Sequence, residues 1–195
     1  MGGKGEETRR RIVEAACALF GASGFTNTSM DDIVRESGVT KGSVYYYFSS
    51  KVELGSAVVE QTMADQFGTE GIDRDRDPVR EILAMFRRAE KKLAEGQCKG
   101  GCLFGNLALE VSDLHDHLRR TLAHAFSTWE ARVEDLLESG RGRGVLRSTI
   151  QPKAVARFVV ATLEGGILLS KVRRDVRALR NCAEMVEVVL EGFRA

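Results

Sequence analysis

The sequence predicts an all-α protein, with an N-terminal three-helix domain of helix-turn-helix spacing followed by a larger C-terminal helical domain. Three observations lead there. Apolar residues recur at helical spacing along nearly the whole chain, and no segment alternates as a half-buried strand does. Only two prolines, Pro78 and Pro152, occur in 195 residues, which leaves room for long uninterrupted helices. Capping and stop signals punctuate the helical pattern along its length.

Ile12, Ala15, Ala16, Leu19 and Phe20 mark one face of a first helix, which Gly21 and Gly24 end while Phe25 turns inward. Ser29 and Asp32 make a capping-box-like start for a short helix carrying Ile33 and Val34, and Gly38 supplies the left-handed residue that stops it. Thr40 caps the next helix, ending near Phe48. Ser50 and Glu53 form a second capping box and open a helix to about Phe67. Gly68 to Asp77 is glycine-rich and charged and reads as a surface linker. Pro78 belongs in the first turn of a helix that runs through Ile82, Leu83, Phe86 and Leu93 to about Gly96.

A loop with Cys98, Gly100 and Gly101 leads to a short apolar helix from about Leu103 to Val111. Leu114, Leu118, Leu122, Ala125, Trp129, Val133 and Leu136 define a long amphipathic helix, about 35 Å at 1.5 Å per residue. Ser139 to Gly144 reads as a basic, glycine-rich loop, and two helices follow, roughly over 152–173 and 175–193. The division falls after residue 50, giving domains of 1–50 and 51–195.

The formal charge of +1 excludes a uniformly basic chain, so any surface for nucleic acid must be local. No apolar run reaches the roughly 18 residues of a membrane span, and Met1 to Arg11 lacks a secretory apolar stretch. A cytoplasmic protein is expected, where thiols stay reduced. Cys17, Cys98, Cys102 and Cys182 then read as core residues or reactive thiols, with no disulfide framework.

The segment TSMDDIVRESGVTKGSVYYYFSSK, Thr28 to Lys51, carries the strongest signal. Two short helices joined by a turn at Gly38 have helix-turn-helix spacing. The second places Lys41, Gly42, Ser43, Tyr45, Tyr46 and Tyr47 within seven residues and leaves only Val44 and Phe48 as an obvious buried pair. Three consecutive tyrosines point in three directions, so some must be exposed. An exposed tyrosine can donate its hydroxyl to a phosphate and lay its ring on a thymine methyl. Thr28, Thr40 and Lys51 are placed to hold phosphates at helix N-termini, and Lys4, Arg9, Arg10 and Arg11 could track the flanking backbone or minor groove.

The run GFTNTSMDDIVRESGVTKGSVYYYFSSKVEL resembles the signature of the TetR family of transcriptional regulators: a hydrophobic-Tyr-x-Tyr/His-Phe recognition helix followed by a lysine. The resemblance covers about the first quarter of the chain closely and the rest in helical outline. It implies that Lys41, Gly42, Ser43, Tyr45, Tyr46 and Tyr47 face the groove of double-stranded operator DNA, with Thr28, Tyr45 and Lys51 as the main phosphate clamps. It also implies a repressor released by an effector that binds in the second domain.

One short recognition helix buries too little surface for selective binding, so such motifs act in pairs. Val155, Phe158, Val159, Thr162, Leu163 and Ile167 give one C-terminal helix a broad apolar face, Gly165 and Gly166 would admit another helix closely, and Met185, Val186, Val188, Val189 and Phe193 line the last. Either these faces fill an intramolecular core or they pair two copies. Resemblance to the family, which dimerises through its last two helices, favours a homodimer with Phe158, Val159, Thr162, Gly165, Gly166, Met185 and Val189 at the interface.

Candidate walls of an effector pocket are Met63, Phe67, Met85, Phe86, Phe104, Leu107, Phe126, Trp129 and Leu168, all of which could equally be plain core. The sharper feature is CKGGCLFGNLALEVSDL, Cys98 to Leu114. Cys102 falls at a helix start with Lys99 nearby, both of which stabilise a thiolate. Such a thiol adds to electrophiles or is oxidised, with Cys98 as a resolving partner. The segment resembles the electrophile-sensing subgroup of the same family, that of the repressor of N-ethylmaleimide reductase. Cys102 matches the sensing position, and Glu110, Val111, Asp113 and Leu114 match the tail of the motif. A cysteine that merely packs beside a non-covalent ligand is the alternative. The spacing of His115, His117 and His124 fits no zinc pattern, so no metal or other cofactor is expected. No histidine or carboxylate is tied by motif to Cys102, which speaks against a thiol-dependent enzyme. A constitutive architectural DNA binder would need no pocket.

Overall fold

The computed structural model describes residues 3–67 and 75–195, and the side chain of Phe67 lies outside that description. Nine helices are present among the described residues: α1 (Gly3–Ser23), α2 (Met30–Ser37), α3 (Lys41–Tyr47), α4 (Lys51–Phe67), α5 (Pro78–Glu95), α6 (Leu103–Val111), α7 (Asp116–Gly142), α8 (Pro152–Arg173) and α9 (Arg177–Glu191). The only extended pairing described is an isolated bridge between Leu146 and Arg194. No described helix is long and apolar enough to cross a membrane.

The local signals act as their chemistry dictates. Ser29 and Asp32 close a reciprocal capping box on α2, and Gly38 ends that helix with φ +62°. The Thr40 hydroxyl accepts from the Ser43 amide at the start of α3. Asp77 caps α5 by accepting from the amides of Val79 and Arg80, with Pro78 in the first turn. The capping box expected at Ser50 is displaced by one residue. The Ser50 hydroxyl accepts from the Glu53 amide, but the Glu53 carboxylate reaches back to the amide and hydroxyl of Ser49.

Boundaries differ from the sequence expectation in places: α1 runs through Gly21 to Ser23, and α7 starts at Asp116, which leaves Leu114 outside it and exposed. The first helix begins at Gly3, so Lys4, Arg9, Arg10 and Arg11 all lie on α1. Arg10 pairs with Glu7 and Glu14, Arg11 donates to the Ser37 carbonyl at 2.7 Å, and Arg9 lies over the Phe48 ring. Local ion pairs at helical spacing hold this stretch in the helix. The expected loop at Ser139 to Gly144 is helical as far as Gly142, because Gly140 is buried against Pro78 and Leu146. Packing overrides the poor helix propensity of Gly140, and Gly142 ends the helix in the open. Most of the expected linker, 68–74, lies outside the described residues.

The chain forms two compact units, Met1–Thr69 with Leu103–Phe126 and Glu70–Cys102 with Ser127–Ala195, where the sequence had suggested one cut after residue 50. In the first unit α1 packs on α2, α3, α4 and α6 around Ile12, Phe20, Ile33, Val44, Leu54 and Phe104. Each such side chain contributes about 1.5–3 kcal/mol when fully buried. In the second unit α5, α8 and α9 pack on one another. Arg180 of α9 pairs with Glu90 of α5, and Arg194 pairs with Asp77 at 2.7 Å, tying the C-terminal residues to the cap of α5.

Candidate nucleic-acid interface and cysteine site

The short helix α3 is held by two inward side chains, Val44 and Phe48, both fully buried. Its other faces follow from that anchoring. Tyr46 is 80% exposed and Tyr45 45% exposed, while Tyr47 is half-buried, edge-on to Tyr46 and close to Gly5 of α1. Lys41, Gly42 and Thr40 are exposed and Ser43 is partly so. The Lys41 ammonium is held at 2.8 Å by Asp31 of α2. A Cβ added to Gly42 would meet nothing within 4 Å, so no contact inside the protein requires glycine there.

Two residues expected to face phosphate are engaged inside the unit instead. Thr28 is 2% exposed and its hydroxyl donates to the Gly24 carbonyl at 2.7 Å. Lys51 donates to the carbonyls of Phe25 and Thr28, both at 2.8 Å, and sits 4.5 Å from the centre of the Phe25 ring. The turn between α1 and α2 leaves carbonyls that no helix satisfies, and Lys51 satisfies them. Burial pushes its pKa below the ordinary lysine value, with the Glu110 carboxylate pulling the other way.

In the second unit, Cys102 stands directly before α6 and is half-buried. Its neighbour is a carboxyl group: the thiol of Cys102 donates to Glu164 of α8. Burial raises the Glu164 pKa above the usual carboxylate range, and the bond from Cys102 lowers it only in part. The Oε1 atom of Glu164 is buried with no hydrogen-bond partner among the described residues. No motif ties Glu164 to Cys102. Its only mark in the sequence is one acid inside the apolar run of α8, VVATLEGGILL. Cys98 is buried with φ +55°, next to Gln97 at φ +53°, and its carbonyl accepts from Arg174 at 3.0 Å.

The expected pocket walls divide between the units. Phe104 and Leu107 are buried in the first, where Phe104 meets Phe126 edge-on and Met63 is half-buried. Phe86 and Trp129 are buried in the second, with Met85 half-buried; Phe67 falls outside the described side chains. Leu168 is exposed on α8, because it shares an outward stripe and not the core. A cavity of about 230 Å³ in the second unit is lined by Arg173, Asp175, Arg177, Ala178 and Asn181, none of them an expected wall.

The residues expected at a dimer interface also separate. Phe158, Leu168, Leu169 and Val172 are exposed along α8, and Gly165 beside them has open space where a Cβ would stand. Met185 and Val188 are exposed along α9. Val159 is fully buried within the chain itself, and Thr162 and Val189 are half-buried. Gly166 is buried with no room for a Cβ, which would lie 2.9 Å from Leu179 of α9. Its smallness serves the packing of α8 on α9.

Known proteins agree with this architecture. Residues 12–58 match the family described as bacterial regulatory proteins, tetR family, and residues 78–186 match the tetracyclin repressor-like C-terminal domain. The chain is 31% identical over 188 residues to the HTH-type transcriptional repressor DhaR of Mycobacterium sp. (strain GP1), covering 95% of this chain and 91% of that one. It is 28% identical over 193 residues to the HTH-type transcriptional repressor NemR of Escherichia coli (strain K12), covering 94% of each. The crystal structure of E. coli NemR in its reduced form superimposes with a TM-score of 0.82 at 26% identity, over 97% of both chains. The chain belongs to the TetR family of DNA-binding transcriptional regulators.

Proposed function

We propose that this regulator is a repressor that acts as a homodimer on double-stranded operator DNA and is released by a small-molecule or electrophile signal. The observation that carries the DNA-reading part is the outward face of α3, where Tyr45, Tyr46, Lys41 and Gly42 are open while Val44 and Phe48 anchor the helix. Aromatic rings with hydroxyl tips suit thymine methyls and phosphates, and a glycine admits the groove wall closely. Two such helices are needed on half-sites about 34–36 Å apart. The exposed stripes of α8 and α9 supply the pairing face: apolar residues at helical spacing, with Gly165 open beside those of α8.

Release is ascribed to the start of α6. A thiol paired with a buried carboxyl stands one residue before that helix, so an adduct on Cys102 would break the pair and push on the helix end. Two relatives are named as repressors, and NemR has been crystallised in a form called reduced. The test is DNA affinity on a duplex selected by the protein from a random pool, before and after N-ethylmaleimide, in wild type and Cys102→Ser. Release in the wild type alone supports the thiol as sensor; equal release in both assigns the signal elsewhere.

A further inference from the structure

The turn between α1 and α2 is gripped from two sides by groups of opposite charge. On one side the Lys51 ammonium takes the carbonyls of Phe25 and Thr28. On the other, the Glu110 carboxylate accepts from the Thr26 amide at 2.9 Å, across 84 residues of sequence. Glu110 stands in the last turn of α6, and its carboxylate lies so close to Gly24 (φ +84°) that a Cβ there would be 2.7 Å from Oε1. Phe25, between these contacts, is buried against Phe20 and near His115. Every residue from Gly24 to Thr28 is thus tied to a neighbour or faces one, the exposed Asn27 only locally, by donating to the Ser23 carbonyl. The turn feeds straight into the Ser29 cap of α2 and so into α3.

We propose that Glu110 is a positioning residue for DNA binding: its carboxylate fixes the Gly24–Thr28 turn and couples the placement of the reading helix to that of α6. A carboxylate is suited to the task because it accepts a charge-assisted bond from a backbone amide that no helix satisfies. It has a second oxygen beside Gly24, where only glycine leaves room. Loosening this contact removes no DNA-facing side chain but lets the reading helix wander, so affinity falls while the set of phosphate-contacting groups is unchanged. The proposal depends on DNA binding and not on the nature of the effector.

Three full-length variants test it on the same selected duplex. Glu110→Asp keeps the charge but lacks the reach; Glu110→Gln keeps the reach and one acceptor; Glu110→Ala has neither. Asp and Ala variants are expected to bind about tenfold more weakly, the cost of one charged hydrogen bond. The Gln variant stays within about threefold of wild type, since a neutral acceptor remains. The dependence of log affinity on log salt keeps its slope in all three, because no phosphate contact is removed. Amide exchange at Thr26 accelerates in the Asp and Ala variants. Glu110→Asp decides the matter even where Glu110→Ala costs the fold. Wild-type affinity in Glu110→Asp, a changed salt slope, or unaltered exchange at Thr26 each overturns the proposal.

Discussion

The Nζ atom of Lys51 lies 2.8 Å from the carbonyl oxygen of Thr28, so the lysine that ends the recognition motif closes a turn within its own unit. Its second bond, to the Phe25 carbonyl, and its place over the Phe25 ring make it a bolt between α4 and the turn that precedes α2. Lys51→Met should therefore destabilise the protein by about 2–3 kcal/mol in denaturant unfolding, the scale of lost hydrogen bonds to a charged group. DNA affinity should fall with it while the salt slope stays unchanged. A slope reduced by about one would instead place Lys51 on a phosphate in the complex.

Gly42 separates stability from function. Open space surrounds its missing Cβ and its backbone is helical, so alanine fits without strain. Gly42→Ala should raise stability by about 0.4–1 kcal/mol, by reducing the freedom of the unfolded chain. The same change should weaken DNA binding, because the added methyl meets the groove wall. A variant both more stable and equally tight on DNA would remove Gly42 from the interface.

Glu164 makes a pH-dependent contribution of definite sign. Burial raises its folded pKa, so the carboxyl favours the folded state while protonated, and that contribution is lost as pH rises above the ordinary glutamate value of about 4.3. Glu164→Gln removes the titration and retains an acceptor for the Cys102 thiol. Unfolding measured across a pH series should show the variant gaining on wild type as pH rises from about 4 to neutrality. A constant difference over that range would contradict the assignment.

Met185 and Phe158 report on self-association. Both are exposed on the outward stripes of α9 and α8, away from the core. Met185→Glu and Phe158→Glu should leave the helical circular-dichroism spectrum intact and halve the mass found by sedimentation equilibrium. Val159→Ala, at a fully buried position, should lower stability with no such shift in mass. Dimers persisting in both glutamate variants would move the pairing face elsewhere.

The sequence carried much of the fold, because its signals are local. The Ser29 and Asp32 cap, the left-handed Gly38, the Thr40 cap and Pro78 in the first turn of α5 each act within four residues. Likewise Val44 and Phe48, alone in a run of polar and aromatic residues, identify the buried side of α3 and leave Tyr45 and Tyr46 outside. Where local signals were weak, the reading failed. The stretch Ser139 to Gly144 looked like a loop until the packing of Gly140 against Pro78 and Leu146 kept α7 running to Gly142.

What the sequence by itself determined is the all-α fold, the family and the motif that reads DNA, since these rest on residue type and short spacing. What only the tertiary structure decided is which groups face one another across long separations. Lys51 turned inward onto Thr28, Glu110 met Thr26, Glu164 met Cys102, and Gly166 served Leu179 within the chain. The physical reason is that a charge or a small residue declares its chemistry in the sequence but not its partner. The partner is chosen when packing removes water and leaves each buried polar group to find the nearest complement.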